Sequence, residues 1–439
     1  MATRTEFRTR TRELADRLDG MDASATALEL GRMSRADRAV SFRSLPKTRA
    51  IEVFEALDPS MQADLVGGLR SEQVAEIIED LDPDDRAELF DELPAGLVNT
   101  LLSGLSPQER ALTDTLLGYP HDSAGRRMSP EVASISERAT VGEAVADVRR
   151  QAATAETIYT IPVLGAGRTV VGVVSLRDLF SSADPRTPVR ELMSAPAFVR
   201  ATDDQEAAAR TVRAGGYVAV PVVDDEQRLL GILTVDDAMR ILDEEEAEDD
   251  ALSGGSSLLG QPYLAVGPLR LFRKRIVWLL VLIGAAALTV GVQTYFEDTL
   301  AEVVALALFI PLLVGTGGNA GAQAGTTLVR ALAVGEVRTG DLVRVVGREA
   351  VAGALEGLTL AVVAFVPAML LTDVGIATVV SVTILGICTL ATTIGAAVPI
   401  VAKAVGIDPA LVCSPFITTI VDTSGLIIYF LVARAVLGL

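Results

Sequence analysis

The chain is 439 residues long, half of them apolar, with a net charge of −19. That length exceeds one domain, and the charge is segregated: residues 269–439 hold ten basic and ten acidic residues, so the whole negative balance lies in residues 1–268. An acidic soluble part argues against nucleic acid as a partner, and two cysteines, Cys388 and Cys413, both in the apolar part, argue against an extracellular disulfide framework.

The opening segment, MATRTEFRTRTR, lacks the apolar core of a signal peptide. Leucines then recur at 45, 57, 69, 81, 93 and 105. Leu57-Asp58-Pro59, Leu81-Asp82-Pro83 and Leu105-Ser106-Pro107 recur every 24 residues. Asp or Ser before Pro marks a helix N-cap with Pro in the first turn. Residues 20–127 therefore read as short helices stacked into a small superhelix; an ordinary helical bundle is the alternative.

Two similar segments follow, TIYTIPVLGAGRTVVGVVSLRDLF (157–180) and GYVAVPVVDDEQRLLGILTVDDAM (216–239). Each has a strand through Pro-Val, a turn, a β-branched strand, and then Ser/Thr-x-x-Asp opening a helix. Ser175 and Thr234 are the caps, Asp178 and Asp237 the acids three residues on, and Met128-Ser129 and Met193-Ser194 precede the two segments. The pair resembles tandem CBS modules, over 128–242. That resemblance implies an adenine-nucleotide site in which Ser175, Asp178, Thr234 and Asp237 take part and the acids meet ribose. The alternative is that both acids only cap helices.

The acidic run DEEEAEDD (243–250) leads through SGGSS (253–257) into the apolar part, so that 243–268 reads as an acidic helix and linker. Glu245, Glu248 and Asp249 share neighbouring helical faces, and hard divalent cations prefer such oxygen ligands. Beyond it, apolar stretches at about 276–296, 300–329, 347–371, 376–402 and 411–437 each exceed the ~20 residues that cross a bilayer. The glycines of the second invite a break or kink. Arg270, Arg273, Lys274, Arg275, Arg338, Arg344 and Lys403 flank one side of these spans. That bias puts the N-terminus in the cytoplasm and the C-terminus outside an inner (plasma) membrane. Arg434 fits the bias poorly and is expected to snorkel.

In the last span Ser414, Thr418, Asp422, Gly425 and Tyr429 fall on one helical face. In the second, Thr316, Asn319, Gln323 and Thr326 form another polar stripe within GTGGNAGAQAG (315–325). A carboxylate at mid-span is costly unless paired or facing a cavity. Glycine-rich polar backbone at that depth packs on protein or lines water. One carboxylate among hydroxyls and amides binds weakly, which suits a hydrated Mg²⁺ in transit. With one His in the chain, His121, a soft-metal site is not expected. Neither a Walker motif nor a Ser/His/Asp arrangement is present, so no enzyme is expected.

The motifs PLLVGTGGNAGAQAG (311–325), GIDPALV (406–412), VDTSGLIIYFLVAR (421–434), YPHDSAGRRMSPE (119–131) and QPYLAVGPLRLFRKRIVWLL (261–280) together resemble the MgtE family of magnesium channels. The resemblance implies a multidomain, mostly α protein: helical N domain, α/β CBS pair, linking helix, and a five-helix transmembrane domain (269–439). It implies a homodimer with the pore on its axis. It places Asp422 at the central Mg²⁺ site, with Gly317, Gly318, Asn319, Gln323, Ser414 and Thr418 lining the pore. It further implies that cytosolic Mg²⁺ on Asp237, Glu245, Glu248, Asp249 and Asp408 closes the gate, with ATP as a possible modulator. Co²⁺ or Mn²⁺ transport, and a non-conducting membrane-anchored nucleotide sensor, are the competing functions.

Overall fold

The computed structural model describes residue 18 and residues 20–67, 71–254, 256, 266–412 and 414–439. The opening segment, Leu69, Cys413, Gly255 and Ser257 of the Gly/Ser break and residues 258–265 lie outside the described residues. The described chain is mostly helical and divides into two compact units, residues 1–245 with 259–267, and residues 246–258 with 268–439.

From Ala23 the described residues of the first unit form eight short helices: α1 (Ala23–Gly31), α2 (Arg35–Arg43), α3 (Lys47–Glu55), α4 (Pro59–Val66), α5 (Ser71–Asp80), α6 (Pro83–Glu92), α7 (Ala95–Gly104) and α8 (Pro107–Leu117). The periodic leucines 57, 81, 93 and 105 are all buried in their core. A second 24-residue echo explains the stacking. Arg38, Gln62 and Arg86 each donate a side-chain hydrogen bond to the carbonyl eight residues earlier, on Leu30, Phe54 and Ile78. Each thereby satisfies a carbonyl that a helix end leaves open. Asp58, Asp82 and Ser106 are all N-caps with proline in the first turn, as expected, but the side-chain cap bond forms in one of the three. Ser106 accepts from the Glu109 amide, whereas Asp58 and Asp82 make no side-chain cap bond. Proline at the first turn already removes one orphan N–H.

After α9 (Ala124–Arg127) come two three-stranded sheets of the same topology. In the first, β1 (Ile135–Ser136) is parallel to β2 (Thr160–Leu164), which is antiparallel to β3 (Val170–Ser175). In the second, β4 (Val199–Arg200), β5 (Ala219–Val223) and β6 (Leu229–Thr234) repeat the pattern. Both have a register shift at the same place, Val163/Leu164 and Val222/Val223. Helices α10 (Val141–Gln151) and α11 (Leu176–Ser181) complete the first module, and α12 (Gln205–Gly215) and the start of α13 (Val235–Ser253) the second. The Met-Ser pairs cross over. Ser129, ahead of the first module, exchanges backbone bonds with Ile232 of β6, and Ser194, ahead of the second, pairs with Val173 of β3. Gly231 and Gly172 admit these segments, since a Cβ there would lie 2.6 Å from the Ser129 carbonyl or 2.8 Å from Met193 Sδ.

Among its described residues the second unit has five helices long and apolar enough to cross a membrane: α14 (Pro268–Tyr295), α16 (Ile310–Ala333), α17 (Leu342–Leu371), α18 (Val374–Ala404) and α19 (Ser414–Leu437), with short α15 (Glu297–Glu302) after α14. The glycine-rich stretch of α16 is continuous helix rather than a break. The irregularity falls earlier, in a 3₁₀ segment, Val304–Phe309, because Pro311 starts the helix. The glycines are used for packing instead. A Cβ at Gly353 or Gly357 of α17 would fall 2.7 Å from the Cys388 carbonyl or 2.9 Å from Leu385 Cα, so α17 and α18 meet backbone to backbone. Arg434 does not simply snorkel. Its guanidinium lies 4.8 Å above the Phe296 ring and donates to Thr299 Oγ1 at 3.0 Å.

Candidate functional site

Two clusters stand out, one in each unit. In the membrane helices, α19 carries Asp422 against the glycine face of α16. A Cβ on Gly318 would sit 3.6 Å from Asp422 Oδ1 and 3.5 Å from Thr418 Cγ2. Asp422 Oδ1 is buried and has no hydrogen-bond partner among the described residues. The nearby hydroxyls do not supply one: Thr418 and Thr419 donate to the Pro415 carbonyl, Ser424 to Ile420, and Thr423 to Thr419 while also meeting the Thr289 hydroxyl of α14. An orphaned carboxylate oxygen at this depth is costly, and a water or a hydrated cation would satisfy it.

The proposed stripe on α19 divides at that point. Thr418 and Asp422 face Gly318, but Gly425 packs on Ile387, and the Tyr429 hydroxyl is buried on the Leu306 carbonyl at 2.8 Å. Of Ser414 the structure describes only the backbone. On α16, Asn319 and Gln323 are exposed on the chain's surface, which leaves their amides available. Gly317 turns the other way, where a Cβ would lie 2.4 Å from Ile387. A second mid-span carboxylate, Glu356 of α17, escaped the sequence reading. It is exposed and forms no ion pair among the described residues.

In the first unit, Asp237 is buried and bonded to Thr234 Oγ1 and Arg240. It shares a pocket with Asp84, Asp85, Glu88, Arg127 and Arg240. Asp84 is buried with Oδ1 unpartnered among the described residues. Burial, then Asp237, Asp85 and Glu156, holds its carboxyl far above the usual range. Burial also pushes Asp85 up to about 6 against the opposing pull of Arg240, and Glu156 up to about 7 with help from Asp237. Asp84 and Asp85 were absent from the sequence reading. Their signal was a departure from the repeat: the same slots hold Ser60-Met61 and Gln108-Glu109 in the neighbouring copies.

The other expected regulatory acids are not gathered here. Glu245 accepts from Gln205 Nε2 at 2.6 Å, Glu248 is exposed further along α13, and Asp408 Oδ1 accepts from the Ala410 amide at 2.8 Å. No group of three or more His, Cys, Asp or Glu residues stands in metal-holding geometry among the described residues. In the first module, the Ser175 hydroxyl and Asp178 cap each other at an exposed helix start.

Comparison with known proteins gives a consistent picture. The family model "MgtE: Divalent cation transporter" matches residues 310–432, "MgtE intracellular N domain" matches 21–122, and "CBS domain" matches 124–184 and 189–244. The magnesium transporter MgtE of Thermus thermophilus is 39% identical over 328 residues, covering 74% of this chain and 73% of that protein. The magnesium transporter MgtE of Bacillus subtilis is 33% identical, covering 73% and 71%. Among solved structures, the cytosolic domain of the Mg²⁺ channel MgtE in complex with ATP aligns with a TM-score of 0.49 and 36% identity. It covers 53% of this chain and 94% of that one.

Proposed function

The chain belongs to the MgtE family of divalent cation transporters, and on that premise we propose that it is a Mg²⁺-selective channel. It works as a homodimer in the inner (plasma) membrane, with the N-terminus in the cytoplasm and the C-terminus outside. We assign residues 20–127 to the N domain, 128–242 to the CBS pair, 243–268 to the linking helix and linker, and 269–439 to the pore-forming domain. The observation that carries the proposal is the buried, unpartnered Oδ1 of Asp422 beside Gly318. Mg²⁺ sheds its waters reluctantly, so the carboxylate holds the ion through its hydration shell and releases it readily. Thr418 and the outward-facing amides of Asn319 and Gln323 extend the polar lining beside it, and Ser414 continues it. The inside-negative potential drives entry, by about 2.3 kcal/mol per charge per 100 mV.

Gating follows from like charge. Cytosolic Mg²⁺ on acids of the set Asp237, Glu245, Glu248, Asp249 and Asp408 removes repulsion between them and favours the closed state. ATP modulates it through the CBS pair. Asp178 is the better placed ribose acid, because it is exposed whereas Asp237 is engaged by Thr234 and Arg240.

The test is Mg²⁺ flux into liposomes for wild type, Asp422→Asn and Asp422→Ala, with internal Mg²⁺ absent and then raised to millimolar order. Both variants are expected to lose most of the flux, because no charge then remains at mid-depth of this path to offset the cost of a cation there. Competing Co²⁺ and Mn²⁺ should reduce wild-type flux only weakly. Undiminished flux in both variants would move the path away from Asp422. Absence of flux in wild type under every condition, with ATP still bound, would favour the non-conducting sensor.

A further inference from the structure

In the first unit, two guanidinium groups sit inside the acidic pocket. Arg240 of α13 donates to Asp85 of α6 at 3.0 Å and to Asp237 on its own helix. Arg127 of α9 pairs with Glu88 of α6 at 2.9 Å, with Glu244 of α13, and donates to Gln205 Oε1 of α12 at 2.9 Å. Every one of these acids would otherwise face a neighbouring acid across the seam between the helical repeat and the second CBS module. Burial works to lower the pKa of both arginines, but the surrounding carboxylates raise it. The space left in the pocket is about 10 Å³, no more than one water occupies. A hydrated divalent cation does not fit beside the guanidiniums. The same seam is closed by an apolar cluster in which Ala87 and Leu116 of the repeat meet Ala238 and Ile241 of α13. Arg126 adds a further bond from α9 to Asp91 of α6.

We infer that Arg127 and Arg240 are built-in counter-ions that keep the helical repeat docked on the second CBS module without any divalent cation. The chain's own cations occupy the space that a metal ion would need at this seam. Cytosolic Mg²⁺ must then act mainly elsewhere, on the acids further along α13 and on Asp408. The inference rests on the proposed Mg²⁺ gating and refines where the sensing takes place.

The test is hydrogen exchange on the full chain in lipid nanodiscs, in EDTA and in 10 mM Mg²⁺, read at residues 83–92 of α6. Wild type should show the same protection in both conditions, within about twofold. Arg240→Met should exchange about tenfold faster or more in EDTA, because unpaired acids remain at the seam, and Mg²⁺ should restore it through the vacated space. Arg240→Lys should behave as wild type. Arg240→Met combined with Asp85→Asn should regain protection in EDTA, which separates lost charge balance from a general folding defect. The inference is overturned if wild type loses protection in EDTA, if Arg240→Met behaves as wild type, or if the double variant stays deprotected. Flux measured on the same samples keeps the two questions apart. Wild-type α6 opening in EDTA with Mg²⁺-gated flux sinks this inference alone, while a docked α6 with flux indifferent to Mg²⁺ sinks the gating reading alone.

Discussion

Adjacent glycines on α16 have opposite duties. Gly317 is pressed on Ile387, where a Cβ would lie at 2.4 Å, whereas the space at Gly318 is bounded by Thr418 and Asp422 at 3.5 and 3.6 Å, ordinary contact distances. Gly317→Ala therefore forces α16 and α18 apart, at a cost of about 1–3 kcal/mol. Gly318→Ala fits with little strain, and the gain in helix propensity offsets part of any loss. The expected outcome is a lowered melting temperature for Gly317→Ala with little change for Gly318→Ala, while Gly318→Ala alone changes Mg²⁺ flux in a stable protein. Thermal unfolding in detergent and liposome flux on the same preparations check both. Equal destabilisation by the two would mean that both glycines serve packing only. The sequence placed the two glycines side by side, but which one faces Asp422 depends on the rotation of α16 against α18 and α19.

At the scale of the element, a helix reports its environment through its exceptions. α17 has a glycine face locked on α18, with Gly353 and Gly357 one turn apart. Glu356 lies beside that face and is exposed, near the middle of a 30-residue helix. It is about 20 Å from either end, by the rise of 1.5 Å per residue, too far for a glutamate to snorkel. No arginine or lysine of α17 or α18 lies within two turns of that level. Replacement by leucine removes a polar group from an apolar face, so Glu356→Leu should raise the melting temperature by a few degrees, as about 1 kcal/mol does. Mg²⁺ flux should stay at wild-type level. Destabilisation instead would show that a polar partner covers this face in the membrane. The twelve-residue leucine period made the short helices of the repeat legible at this scale. The 24-residue line of Arg38, Gln62 and Arg86 was equally present in the sequence, but its meaning needed the carbonyls that these side chains reach.

For the whole molecule, part of the acidic balance of the first 268 residues lies in carboxyls whose hold on a proton the fold strengthens. Burial, then Asp82 and Asp85, pushes Glu55 up to about 7; Glu156 reaches about 7 and Asp85 about 6. A raised carboxyl binds its proton more tightly folded than unfolded. Its contribution is present at low pH and is lost as pH rises from the unfolded value near 4 to the folded value near 7. Protection of α3 and α6 against hydrogen exchange in EDTA should therefore fall between about pH 5 and pH 7 and level off above that. A flat profile from pH 5 to 7.5 would mean that the acids are relieved by other means.

Composition and periodicity alone determined the class of this protein: an acidic soluble part, a helical repeat, a duplicated α/β module and five apolar spans. These follow from local spacing and from what a bilayer accepts, and each is carried by many residues, so single exceptions do not blur them. Asp422 was legible for the same reason, since a charge in an apolar run stands out without any knowledge of its neighbours. The tertiary structure decided everything that depends on two distant segments meeting. It set Gly318 rather than Gly317 beside Asp422, turned Tyr429 into the core, and crossed the Met-Ser pairs between modules. It also gathered Asp84, Asp85, Arg127, Asp237 and Arg240 from three distant stretches of the sequence into one pocket. Charges that look solvated along the chain become counter-ions only when folding removes the water between them.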